Sequence, residues 1–148
     1  MNEPDEHTPM KAERPIRARS RTIREFHDLR VWKLSQRLAD ECETVVSGFP
    51  PKGSPIAERV THMAQSVTSK VAEGQSAGRL HRFLECLQEA DRILDGLEAA
   101  IITAYGAGWM RAVVGDRLLM RVAEIRRMLK NLEKSLGAAR ERWHSSRR

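Results

Sequence analysis

Four stretches of this chain carry apolar residues at alternating three- and four-residue spacing, and that pattern constrains the fold more than any other feature. The first holds Val31, Leu34, Leu38, Cys42, Val45 and Phe49, and the second Ile56, Val60, Met63, Val67 and Val71. The third holds Leu80, Phe83, Leu87, Leu94, Leu97, Ile101 and Ala104, and the fourth Leu118, Val122, Ile125, Leu129, Leu132 and Leu136. That period places each set on one side of an α-helix. A lone amphipathic helix is marginal in water, so four of them predict one shared core. Short connections between long helices favour antiparallel neighbours. The expected fold is therefore all-α, an antiparallel up-down-up-down four-helix bundle.

The totals agree with one domain of that kind. The chain has 148 residues, within the ~100–200 usual for a domain. Aromatic residues are only 5%, so aliphatic side chains must do most of the packing. Charged residues make up 31% and mean hydropathy is −0.52, a soluble composition. No apolar run approaches the ~20 residues that span a bilayer. The longest uncharged stretch, residues 99–110, is broken by Gly106 and Gly108. The acidic N-terminus lacks an apolar segment and does not read as a secretion signal. Cys42 and Cys86 lie in different helical stretches, without Cys-x-x-Cys spacing, and read as reduced core thiols. These features predict a cytoplasmic protein with no membrane partner.

Boundaries follow from the breakers. Residues 1–25 contain Pro4, Pro9 and Pro15, show no apolar period, and switch from acidic to basic, which predicts a disordered arm. Met10 is a second candidate for the start, beside Met1. The bundle then occupies residues 26–137, and residues 138–148 form a basic tail. Helix one is expected to begin near Asp28, a good N-cap, and to stop near Ser47-Gly48. Ser54-Pro55 predicts a hydroxyl cap followed by proline at the first helical position. Gly74 is expected to end helix two as a left-handed stop. Helix three should run from Arg79 to Tyr105, and helix four from Arg111 to Leu136, with Gly137 as its stop.

Charge is unevenly shared among these pieces. The whole chain carries +6 with a pI near 9.9. Helix four has Arg111, Arg117, Arg121, Arg126, Arg127, Lys130 and Lys134 against Asp116, Glu124 and Glu133, a net +4. The tail has Arg140, Arg142, Arg147 and Arg148 against Glu141, a net +3. In the arm, Lys11, Arg14, Arg17, Arg19, Arg21 and Arg24 stand against Glu13, a net +5. Helix three runs the other way, with Glu85, Glu89, Asp91, Asp95 and Glu98 against Arg79, Arg82 and Arg92.

Two readings of the basic excess remain open at this level. In one, the cations solvate an outer face or pair with helix-three acids. In the other, Arg121, Arg126, Arg127, Lys130 and Lys134 on helix four, Arg140 and Arg142 in the tail, and Arg17, Arg19, Arg21 and Arg24 in the arm bind nucleic-acid phosphates. Such contacts gain affinity from counterion release and need no base specificity. Basic arms that order on RNA fit the same picture. Trp143 would stack on an exposed base or pack on a neighbouring subunit.

Catalytic patterns are missing. A di-metal bundle needs Glu-x-x-His on each of two helices, and here that spacing occurs once, at Glu141–His144. Gly106-Ala-Gly108 is too short for a phosphate loop and follows a helix rather than a strand. No Ser or Cys sits in a nucleophile motif. The expectation is a protein without enzymatic activity, metal or cofactor.

One ordered set of motifs goes beyond generic bundle patterning. Phe26-His-Asp-Leu-Arg-Val-Trp32 opens helix one and Phe49-Pro50 follows it. Ser66-Val-Thr-Ser-Lys-Val-Ala-Glu-Gly74 lies in helix two, and Arg82-Phe83-Leu84 follows within ten residues. This set resembles the 23S rRNA-intervening-sequence proteins, which show F-x-D-L-x-V-W, an FP turn, S-I-P-S-N-I-A-E-G and R-F-L in that order. The likeness covers about residues 26–136. The family's usual Pro and Asn are Thr68 and Lys70 here, and its upstream Arg-Arg pair aligns with Thr61-His62. The resemblance implies a four-helix bundle similar in architecture to the accessory variability proteins of diversity-generating retroelements. Those are small basic bundles that form rings, commonly pentamers, and associate with a reverse transcriptase and nucleic acid. By that likeness this chain would be an oligomeric RNA- or DNA-binding accessory factor. The alternative is a protein-interaction scaffold whose charged faces serve subunit assembly.

Overall fold

The computed structural model describes residues 16–146, with side chains from Arg30 onward. Four helices make up nearly all of it: α1 (Ile16–Val46), α2 (Ser54–Ser76), α3 (Leu80–Gly106) and α4 (Ala112–Ser146). A short 3-10 turn, Pro51–Gly53, precedes α2. Among the described residues there is no strand, and no helix is long and apolar enough to cross a membrane. The helices pack in a closed cycle, α1 on α2, α2 on α3, α3 on α4 and α4 on α1.

The four apolar stripes meet inside that cycle. Leu38, Val67, Leu87, Leu94, Leu97, Ile101, Val122 and Leu129 are all at least 99% buried. The core is mostly aliphatic, as the low aromatic content requires. Ser35 is its buried polar residue among those described, and its Oγ donates to the Val31 carbonyl one turn back at 2.8 Å. The hydroxyl is thereby satisfied within its own helix. Cys42 and Cys86 are free and buried; burial, with Glu41 adjacent, pushes the Cys42 thiol up to about 12.

Several boundaries differ from those expected. Helix α1 begins at Ile16 rather than near Asp28. Residues 16–25, assigned above to a disordered arm, are therefore helical; no proline or glycine follows Pro15 before Gly48, so nothing there breaks a helix. Residues 1–15 of the arm lie outside the described residues. Ser54 is not a cap: it already has helical angles, φ −53° and ψ −44°, and Gly53 takes the capping position. Helix α2 passes through Gly74 to Ser76, and the left-handed residue is Gly78, at φ 71°. Gly74 serves packing instead. A Cβ there would stand 2.7 Å from the Phe83 ring and 2.9 Å from Cys86 Cβ. Nor does Gly137 end α4, which continues to Ser146 through Ala138-Ala139-Arg140-Glu141-Arg142, all strong helix formers.

The connections between α1 and α2 and between α3 and α4 come together, with Phe49 of the first in ring contact with Trp109 of the second. Near them Tyr105 lies over Gly115, and its hydroxyl donates to Asp116 Oδ1 at 3.0 Å. These contacts fix the register of the helix pairs and hence which charged rows face each other.

Candidate functional site

The expected basic surface of α4 divides into rows with different fates. Arg126 turns to α3. Its Nη2 donates to Asp95 at 2.7 Å, with Asp91 at 3.7 Å and Glu98 at 3.5 Å. Lys130, one turn on, lies 3.3 Å from Asp91. Arg121 turns the other way and pairs with Glu41 of α1, whose second oxygen is 3.9 Å from Arg117. Arg127 and Lys134 are exposed and make no ion pair among the described residues. Arg140 and Arg142 are exposed on the last turns of α4. Arg17, Arg19, Arg21 and Arg24 lie in the first part of α1, where side chains are outside the description. Trp143, half exposed at 56%, sits seven residues beyond Leu136 and so on the core-facing side of α4.

The neighbouring acid Glu133 shares the α3–α4 seam. One carboxylate oxygen is buried without a hydrogen bond, as is Asp91 Oδ1. Burial, followed by the nearby Asp91 charge, raises the Glu133 pKa above the usual carboxylate range. Arg126 and Lys130 therefore act largely as counterions to a seam that already holds excess acid.

A second network joins α2 to α3 and gathers the motif residues Lys70, Glu73 and Arg82. Arg82 pairs with Glu73 and donates to Glu85 at 3.3 Å and Glu89 at 3.1 Å. Lys70 reaches Glu73 at 3.1 Å and Glu89 at 3.0 Å. Hydrogen bonds from Arg82 and then Lys70 hold the Glu73 carboxyl below its ordinary range. Those from Lys70 do the same for Glu89. Ser66, in the same motif, donates to the His62 carbonyl at 2.8 Å. Beneath the network Gly74 lets Phe83 and Cys86 close onto α2. This segment is a helix-joining device in which Lys70, Glu73, Arg82 and Glu89 are all paired, while the buried Thr68 hydroxyl has no hydrogen-bond partner.

The α1–α4 seam differs from both. Glu41 faces α4, since it pairs with Arg117 and Arg121. Arg37 and Arg30, four and eleven residues before Glu41, occupy the same flank of α1, with Lys33 beside them. All three are exposed and make no ion pair among the described residues. Sequence reading passed over them because helix one as a whole is not basic; only the 3-4-4 spacing, referred to Glu41, isolates them. Along this seam Arg30, Lys33, Arg37, Arg117 and Arg121 stand against Asp40, Glu41 and Glu124, a net +2, while Arg127 and Lys134 continue the outward row of Val113 and Met120 at seven-residue spacing. Across α3–α4, Arg126 and Lys130 meet Asp91, Asp95, Glu98 and Glu133, a net −2. Across α2–α3, Lys70 and Arg82 meet Glu73, Glu85 and Glu89, a net −1.

Among the described residues no group of three or more His, Cys, Asp and Glu is arranged to hold a metal ion. No family model matches the chain, and no curated protein matches it.

Proposed function

We propose that this protein is a non-catalytic, oligomeric nucleic-acid-binding accessory protein of the cytoplasm, built as an antiparallel up-down-up-down bundle. The observation that carries the reading is the set of exposed cations with no ion pair among the described residues, Arg30, Lys33 and Arg37 on the α4-facing flank of α1 and Arg127 and Lys134 on the outward row of α4, while the α2–α3 and α3–α4 seams are acidic. Exposed arginines and lysines without counterions are what a phosphate backbone recruits, by release of condensed ions. The contact of Phe49 with Trp109 supports the antiparallel arrangement, because it joins the first and third connections at one end. The motif likeness to the 23S rRNA-intervening-sequence family, and through it to retroelement accessory proteins, supports a ring, for instance a pentamer, that assists a reverse transcriptase.

Relative to the residues expected from sequence, the binding surface is assigned to Arg127 and Lys134 together with Arg30, Lys33 and Arg37. Arg121, Arg126 and Lys130 act mainly in holding helices together. Light scattering gives the subunit number. Fluorescence anisotropy with labelled RNA and DNA at low and moderate salt tests binding. Affinity should fall steeply with salt, and Arg127→Glu with Lys134→Glu should reduce it at least tenfold without changing the helical spectrum. A complex that ignores salt, or no complex at all, overturns the reading.

The scaffold reading is favoured by a separate observation. Val113 and Met120 are 63% and 72% exposed, seven residues apart on the outer row of α4. If these residues dock another protein, Met120→Lys should abolish a pull-down partner while leaving nucleic-acid binding intact.

A further inference from the structure

Resting on the oligomeric reading above, we infer that the outward row of α4 pairs with the same row of a second copy, antiparallel, about a two-fold axis beside Met120. Relative to Val122, Ile125 and Leu129, which mark the buried side of α4, positions 113, 120 and 127 point away from the core. Val113 and Met120 are exposed there, and so is Ile102 on α3. Together they are three of the four large apolar side chains left exposed among the described residues. Ile102 stands seven residues from Asp95, which pairs with Arg126, and so on the α4-facing flank of α3. The pairs Tyr105–Asp116, Arg126–Asp95 and Lys130–Asp91 share one register, which sets Ile102 level with Leu119 and hence beside the turn that carries Met120. Apolar side chains scattered singly on a surface need no explanation, but these gather on one face of the bundle.

The charges bordering Met120 identify the occupant. Arg117 and Glu124 lie on the side nearer α1, and Asp116 and Arg127 on the side nearer α3. Along the helix one flank therefore reads plus then minus, and the other minus then plus. A two-fold axis across the helix reverses the direction of the copy and keeps each flank on its own side. Arg117 then meets Glu124 of the second copy and Asp116 meets its Arg127, each contact occurring twice. Both pairings come from one register, centred within a residue of position 121, which lays Met120 against Met120 and Ala123 of the copy. The four charges are available for it. Glu124 and Arg127 make no ion pair among the described residues, and Asp116 accepts the Tyr105 hydroxyl through Oδ1 alone. Arg117 is 3.9 Å from Glu41, whose nearer partner is Arg121. Arg121, which this register sets beside its own copy, is neutralised by that Glu41. Parallel pairing would instead put Arg117 on Arg117 and Glu124 on Glu124. Residues 113–127 give about 22 Å of helix, a contact smaller than the ~800 Å² per partner of a standard interface, so the pair should exchange with free chains on dilution. Such a contact is complete with two copies, whether free chains or members of two rings. It turns Arg127 inward and leaves Arg30, Lys33, Arg37 and Lys134 to nucleic acid.

The test is analytical ultracentrifugation of the full chain over a concentration series, with a charge swap and a cross-link. The wild type should show a species of even copy number that grows with concentration. Met120→Lys, Arg117→Glu and Glu124→Arg should each weaken that association at least tenfold by setting like charges face to face, with no loss of helical signal, since none of the three is buried. Arg117→Glu and Glu124→Arg combined in one chain, or the two single variants mixed, should restore it, a rescue that misfolding could not produce. Met120→Cys should link two copies through a disulfide in air, the native Cys42 and Cys86 being buried. Val113→Cys should not, because the axis holds the two positions about 24 Å apart and a disulfide needs Cα atoms within about 7 Å. An oligomer whose mass ignores all three substitutions would overturn this face and leave the oligomeric reading standing. A single chain at every concentration would overturn both and leave Met120 to the other protein considered above. Failure of the swap to rescue, or equal cross-linking at 113 and 120, would overturn the antiparallel register.

Discussion

The ring of Trp109 lies 5.7 Å from that of Phe49, inclined at 50°, and covers Gly53 closely enough that a Cβ there would stand 3.0 Å from it. One side chain thus ties the α3–α4 connection to both the α1–α2 connection and the turn that starts α2. Trp109→Ala removes that tie. Because Trp109 is only half-buried, the loss should fall at or below the lower end of the ~3–5 kcal/mol seen for fully buried tryptophan. Trp109→Phe should recover most of it. Urea denaturation of the three proteins measures both.

Two glycines within helices should respond in opposite ways to alanine. At Gly74 the new methyl would press on Phe83 and Cys86, and Gly74→Ala should cost about 1–3 kcal/mol through overpacking. At Gly137 nothing lies within 4 Å of the added carbon. There Gly137→Ala should stabilise by about 0.5–1 kcal/mol, the difference in helix propensity. Equal effects at the two sites would contradict the packing role of Gly74.

Glu133 offers a pH test. Its pKa is raised in the folded state by burial and by Asp91, so the native protein binds more protons than the unfolded chain between the two pKa values. Stability therefore falls as pH rises through that window. Glu133→Gln mimics the protonated form and should raise Tm at neutral pH, with the gain shrinking as the solution is acidified below the ordinary carboxylate range. A gain independent of pH would point to packing instead.

Glu73 and Glu89 behave with the opposite sign. Arg82 and Lys70 lower their pKa values, so their contribution is present above the unfolded carboxylate pKa and is lost as pH falls through the lowered folded value. Arg82→Met should lower Tm at neutral pH and leave it nearly unchanged in acid, so that the acid limb of the Tm–pH profile flattens. Because these groups face solvent, added salt should also reduce the wild-type advantage.

The contrast between Arg126 and Arg127 shows what the sequence could and could not convey. Both belong to the same basic run, yet neighbouring residues on a helix point about 100° apart. One is held by three acids of α3 and the other stands in solvent. The spacing of Val122, Ile125 and Leu129 was enough to locate the helix and its buried side. Which cations keep a counterion depends on the register between helices, and no local pattern carries that. Gly74 and Gly137 illustrate a second limit. A glycine is read as a stop because it tolerates left-handed angles, but at Gly74 the missing Cβ answers to a ring on another helix, nine residues later in the chain. Lys70, Glu73 and Arg82, by contrast, stood close in sequence within motifs already noticed, and the structure brings them together.

The short link of Ala77, Gly78 and Arg79 between α2 and α3 has a consequence for how the chain reaches this state. Closing so small a loop costs little chain entropy, and the Arg82–Glu73 pair spans only nine residues. The α2–α3 hairpin is thus suited to form early, with the Glu41–Arg121 pairing, which must bring distant segments together, following later. Substitutions at Arg82 should then slow folding, whereas those at Arg121 should chiefly hasten unfolding. The acidic hairpin would serve as the template on which the two outer, cationic helices are laid down.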